Sequence, residues 1–335
     1  MDSLAVLYSQ LLDVSAVGSF TIKPLSIIVI VFYTPKHLRT TSYFILNEMI
    51  WNLAGNLLFT AGHPFPVLPT QCIRLDGVVS YVAINETMRH IFFLLILVTA
   101  INCNIGLLTT FQFRYMAIAY KDLMTVVKPI WGYVYCVILH VICTILFSYL
   151  MINASTSTEE YSKNAHLEST ENIFCFKSYG WEKSLLMWCF FISMLVFMIL
   201  LVTYTFLCLR ELRKQEHFME PTTLAIQRTV LRNLMIMTAV PVVLGCFPLF
   251  IASFFIQFND WPYAEEIVAI SYVFVSNHGT VYSVFTLVLF KSYRVGVQKL
   301  FNKLAMLFLR LVLGRNSPRL NRTKVVTIGM SSRRV

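Results

Sequence analysis

The sequence predicts an all-α fold, a bundle of seven membrane-spanning helices, and three observations carry that expectation. Hydrophobic residues make up 57% of the 335 and charged residues only 13%, whereas roughly a quarter of an ordinary soluble domain is charged. Several stretches of about 20 residues carry almost no charge, the length a helix rising about 1.5 Å per residue needs to cross about 30 Å of hydrocarbon. These stretches are unbroken and rich in Leu, Ile, Phe and Met. Spans of a β-barrel would be shorter and alternating, with turn residues between them.

The predicted spans are Val14 to Tyr33, Tyr43 to Gly62, Ile84 to Thr110, Trp131 to Ile152, Ser184 to Leu209, Leu231 to Phe258 and Ile267 to Phe290. Lys23 and Pro24 interrupt the first. The segment "HPFPVLPTQCIRLDG" between the second and third has three prolines and cannot easily continue a helix. Before Lys23 the N-terminus holds Asp2 and Asp13 but no basic residue. It therefore lacks the basic region of a cleaved signal peptide, and the first span is expected to act as its own insertion signal.

Basic residues set the orientation. With the N-terminus outside, the inner segments hold Lys36, Arg39, Arg114, Arg210, Arg213, Lys214, Arg228 and every Lys and Arg from Lys291 onward, while the outer segments are acidic. This bias places the N-terminus outside and the C-terminus inside, which needs an odd number of spans. It also accounts for the net charge of +10 without nucleic acid, since no separate basic domain exists. Sequons at Asn85 and Asn153 fall in outer loops, where glycosylation is possible, whereas the one at Asn321 would be cytoplasmic. Of the eight cysteines, Cys72 and Cys175 alone fall in outer loops, the oxidising side, so a disulfide between them is expected.

Polar side chains inside a span must pair within the bundle or line a cavity. Asn47, Glu48, Asn52 and Asn56 lie in the second span, Asn102 and Asn104 in the third, and Asn277 and His278 in the seventh. Asn52 and Asn56 are four residues apart and share a helix face. His278 lies 12 residues after Glu266 and 13 before Lys291, near mid-membrane. Two readings stay open for these residues: hydrogen bonds that fix packing, or a ligand pocket made of Asn52, Asn56, Asn102, Asn277 and His278. Gly279 permits close helix approach or a local distortion. Pro241 and Pro248 in the sixth span each remove a backbone hydrogen bond, giving a static bend or a lever.

After the seventh span, residues 295–314 mix apolar positions with Gln298, Lys299, Asn302, Lys303 and Arg310, as in a helix lying in the inner interface. The organisation is thus a bundle over residues 1–294, an interfacial helix over 295–314, and a disordered basic cytoplasmic tail over 315–335.

Taken in order, "FYTPKHLRTTSYFILN", "HPFPVLP", "FQFRYMAIAY", "TTLAIQRTVLRNLMIMTAVPVVLGCFPLF" and "SNHGTVYSVFTLVLFKSYR" make the chain resemble the nematode seven-transmembrane serpentine chemoreceptors, class h, with class i as neighbour. The resemblance covers nearly the whole chain. It implies a G-protein-coupled-receptor-like membrane protein in the plasma membrane of sensory neurons. Such a protein binds a small chemical ligand and signals to a heterotrimeric G protein. Arg114 and Tyr115 stand where many such receptors have an acidic-Arg-aromatic triplet, with Phe113 in place of the acid. A surface bordered by Arg114, Tyr115, Arg210, Arg213, Lys214 and Arg228 would meet the G protein, with Pro241, Pro248 and Gly279 as hinge positions.

The rival reading is a transporter or ligand-gated channel, but no internal repeat is visible and, apart from Glu86 at the outer end of the third, Glu48 is the only acidic residue within a span. A retinal receptor needs a lysine deep in the last span, and Lys291 is at its edge. No HExxH or GxSxG pattern, metal motif or nucleotide motif suggests an enzyme or cofactor.

Overall fold

The computed structural model describes residues 3–35, 39–83, 85–120, 126, 128, 130–162, 172–177, 180–214 and 220–312. The tail after residue 312 lies outside them. Seven rods form among the described residues: α1 (Ser3–Tyr33), α2 (Arg39–Gly62), α3 (Glu86–Ala119), α4 (Ile130–Ala154), α5 (Glu182–Lys214), a broken sixth, and α8 (Ala264–Leu289). The sixth comprises α6 (Pro221–Pro241), a π-helical turn over Val242–Cys246, and α7 (Phe247–Gln257).

Six of the rods are long and apolar enough to cross a membrane. The exception, α2, is 24 residues long. It falls short in apolarity rather than in length, because it carries Asn47, Glu48, Asn52 and Asn56. Glu48, Asn52 and Asn56 are all buried in the bundle, and α3 is the most extensive neighbour of α2. At the opposite extreme, α4 exposes Ile138, Val141, Ile142, Ile145 and Leu146, the face a lipid tail would cover.

Lipid supplies no hydrophobic drive between spanning helices, so close association needs small residues. Gly106 of α3 meets α2, where an added Cβ would lie 2.9 Å from the Cα of Glu48. Gly279 of α8 lies against the amide of Asn52 with no room for a Cβ. The helix α8 is continuous through Gly279, and this glycine permits its close approach to α2.

At the end where α2 stops, a four-stranded antiparallel sheet closes the bundle. Its strands are β1 (Pro64–Val67), β2 (Cys72–Leu75), β3 (Ser155–Thr156) and β4 (Ile173–Phe176), in the order β1-β2-β4-β3. Two of the three prolines expected to stop a helix, Pro64 and Pro66, sit on an edge strand, where a missing N–H costs least. Cys72 and Cys175 stand opposite each other in the β2–β4 pairing and are joined by a disulfide.

Several helices run past the predicted ends: α1 begins at Ser3, α3 continues to Ala119 and α5 to Lys214. After Phe290, whose backbone is extended, a further helix α9 (Lys291–Val312) begins. Gly296 of α9 fits against Tyr33 of α1, and Phe301, Leu304, Leu307 and Phe308 are exposed along it. Tyr293 anchors its start: the hydroxyl is buried, 2.8 Å from Ser42 Oγ, and burial raises its pKa. Tyr293→Phe is expected to cost about 1 kcal/mol of thermal stability, the usual worth of one such bond. An unchanged melting temperature in detergent would count against that anchoring role.

Candidate functional site

A cavity of about 160 Å³ lies between the rods beneath the sheet. Its walls are mostly apolar, including Phe59, Phe93, Leu97, Leu186, Phe190 and Leu249, and β2 and β4 contribute Cys72 and Phe176 to its roof. Its floor contains Asn52, Asn56 and His278, three of the five predicted pocket residues.

The other two are placed elsewhere. Asn102 faces α4, where its Nδ2 donates to Thr144 Oγ1 at 2.9 Å and its Oδ1 meets His140 Nδ1. His140 bonds onward to Asn47 at 3.1 Å, so this set ties α2, α3 and α4 together. Asn277 faces α1, donating to Ser15 Oγ at 2.7 Å. Both asparagines are packing residues here, because each lies on the far side of its helix from the cavity.

Beneath the floor lies a layer of buried polar groups that the sequence reading did not assemble. Lys23 of α1 is buried, and its Nζ donates to Asn52 Oδ1 and, at 3.4 Å, to the Asn52 carbonyl. With Oδ1 thus identified as acceptor, Nδ2 of Asn52 is the donor, 2.8 Å from His278 Nε2. That nitrogen must therefore accept, which puts the ring proton on Nδ1, where it donates to the Val275 carbonyl. His278 is thus a neutral imidazole with both nitrogens engaged. Glu48 lies beyond, its Oε1 3.5 Å from Cys103 Sγ and its Oε2 without a hydrogen-bond partner. Lys23 and Glu48 share this layer without forming a direct salt bridge.

The layer continues along α1 and α8. Asn56 Nδ2 donates to Ser19 Oγ at 2.6 Å and to the Ser276 carbonyl at 2.7 Å, and Ser19 pairs with Thr280 at 2.8 Å. An intramembrane lysine was the available signal. In sequence it reads as an interruption of the first span, and its partners come from another helix.

His278 also touches the broken sixth rod. A Cβ on Gly245, within the π-helical turn, would lie 3.3 Å from the His278 ring, so ring and turn are in van der Waals contact. Pro241 and Pro248 flank this turn, and a π-helical turn is a recognised way to absorb a kink.

At the end away from the sheet, Arg114 is buried and donates to Gln227 Oε1 of α6, which ties the third rod to the sixth. Phe113, in the position an acid would occupy, stacks on Phe44 instead, with ring centroids 4.5 Å apart. Tyr115 packs its ring edge against Tyr120 and faces Tyr204. Arg210, Arg213, Lys214 and Arg228 are exposed at the same end. Arg114 is therefore separate from that exposed basic group.

Of the sequons, Asn85 is exposed just before α3, whereas the Asn153 amide is engaged with the Tyr149 carbonyl at 2.8 Å. Next to the roof, burial lowers the pKa of His63 while Asp13, 3.5 Å away, opposes the shift.

The sequence profile of the serpentine type 7TM GPCR chemoreceptors called Srh matches residues 5–303 of this chain. The chain belongs to that family. No curated protein shows significant similarity to it. Residues 5–303 of this Srh protein take in all seven rods and the first part of α9, so the cavity and the polar layer lie wholly within the family's region.

Proposed function

We propose that this Srh protein is a chemosensory receptor of the plasma membrane, with its N-terminus outside and its C-terminus in the cytoplasm, that binds a small molecule in the cavity and activates a heterotrimeric G protein. The observation that carries this reading is the contact between His278, on the cavity floor, and Gly245, in the turn that breaks the sixth rod. A ligand can shift an equilibrium only by preferring one arrangement of the protein. Pressure on the floor would be felt at this turn, and α6 below it carries Gln227, the partner of Arg114. The Arg114–Gln227 contact then acts as a latch between the third and sixth rods. Its release would uncover a surface edged by Tyr115, Arg210, Arg213, Lys214 and Arg228 for the G protein. On this reading α9 lies in the inner interface with its apolar residues toward membrane lipid, and Asn85 is the sequon open to glycosylation.

The test is a small-molecule screen in cells with a calcium or cyclic-nucleotide readout, run beside surface labelling of an N-terminal tag. Gln227→Ala is expected to raise signalling without ligand by several fold, and His278→Ala to abolish the ligand response at normal surface level. A latch role is lost if Gln227→Ala leaves basal output unchanged. Ligand-evoked current from reconstituted protein lacking any G protein would replace the receptor reading with a channel.

A further inference from the structure

The polar groups that best identify the cavity in sequence have no hydrogen-bond donors to spare for a ligand. Asn52 accepts from Lys23 and donates to His278 and Cys103, His278 uses both ring nitrogens, and Asn56 spends its amide on Ser19 and Ser276. The floor can contribute packing and an acceptor, but a donor to an anionic ligand group must come from elsewhere.

It is available near the roof. Lys183, in the first turn of α5, lines the same cavity and is 93% buried, being only 7% exposed. Among the described residues it has neither a hydrogen bond nor a salt bridge. The adjacent Glu182 is turned to Lys177 at 3.4 Å. The carboxylate that acts on Lys183 is that of Asp260, which is exposed and beyond salt-bridge distance. Gln71 lines the cavity too, and its buried Oε1 has no hydrogen-bond partner among the described residues. A buried ammonium without a counter-charge is costly, and an incoming anion removes that cost.

We infer that the cavity takes a small organic carboxylate whose head pairs with Lys183 beneath the sheet and whose apolar body points toward His278. The size of the body follows from the volume: about 160 Å³ is close to that of a cavity that admits benzene. An aryl or short alkyl acid fits, whereas a long-chain lipid or a peptide does not. Gln71 can accept a hydrogen bond from a hydroxyl on the same ligand.

This inference rests on the receptor reading, and the experiment separates the two. Full-length protein in lipid nanodiscs would be melted with benzoate or hexanoate and, in parallel, with benzamide or hexanamide, in wild type, Lys183→Met and Lys183→Arg. The acids are expected to raise the melting temperature of wild type and Lys183→Arg and the amides not to. Lys183→Met should bind the acids at least ~10-fold more weakly, the loss of one charge-assisted contact. Equal shifts by acids and amides, an undiminished acid response in Lys183→Met, or no shift with either acid would overturn the assignment. Lys183→Met removes a buried charge from a near-isosteric stem, so its own melting curve without ligand reports whether it has folded. Acid binding without G-protein activation in cells would leave the carboxylate site standing and remove the receptor reading. Activation by neutral compounds, with no acid binding, would do the reverse.

Discussion

Replacing Lys23 by Met is expected to cost about 1–3 kcal/mol of stability, the usual penalty for leaving a buried hydrogen-bond acceptor without its donor. The physical basis is the layer under the cavity floor. Lys23 and Glu48 are its ionisable side chains from α1 and α2, and Asn52 connects Lys23 to His278. Without Lys23, Glu48 is left as an ionisable carboxyl in a buried site where Oε2 has no hydrogen-bond partner among the described residues. Asn52 Oδ1 also loses its donor. Glu48→Gln added to Lys23→Met removes the ionisable carboxyl, so the double variant should melt higher than Lys23→Met alone. Such a reversal of sign is what coupling between two contacting groups produces, whereas independent sites add. Melting of the four proteins in one detergent decides it, and a double variant less stable than Lys23→Met by the full cost of Glu48→Gln would refute the coupling. Gly279→Ala approaches the same layer from α8. Its new methyl group would displace the Asn52 amide, so both Lys23 and His278 would lose their partner at once.

How much of this was legible in the sequence depends on which physical quantity was being read. Hydropathy reports the thickness of hydrocarbon, so the presence and order of the spans could be read. The continuation of α3 to Ala119 and of α5 to Lys214 could not, because those turns project beyond the lipid and carry polar residues. Proline content correctly ended α2 but concealed the sheet, whose strands are only four residues or fewer and begin with Pro64.

Within the site, polarity alone cannot give direction. Successive residues on a helix point about 100° apart. Thus His278 reaches the cavity while Asn277 turns to α1, and Cys103 and Asn104 line the cavity while Asn102 turns to α4. Lys183 was hidden for a different reason: beside Glu182 and Trp181 it resembles the ordinary charged edge of a span. Only the closure of the sheet over α5 makes it part of a pocket. A layer whose members come from α1, α2, α3 and α8 likewise has no signature in any single segment.

The second large effect is expected at that closure. Cys175→Ser should destabilise the protein by about 2–5 kcal/mol and sharply reduce its amount at the cell surface. The disulfide joins residues 103 apart in sequence, so its loss frees a long loop in the unfolded chain. It also leaves the β2–β4 pairing to three residue pairs of backbone contact, since Cys72 stands opposite Cys175, Ile73 opposite Phe174 and Arg74 opposite Ile173. Cys72 and Phe176 belong to the cavity roof, so loosening this pairing opens the pocket to solvent where Lys183 lies. A structural bond predicts that Cys72→Ser, Cys175→Ser and the double variant lose the same amount, because the bond breaks once in all three. The free thiol of Cys189, half-buried on α5, provides the control. Cys189→Ser should leave surface level and melting temperature close to wild type. If the double variant were twice as damaging as either single one, the two cysteines would be contributing separately, and the bond would not be what holds the roof.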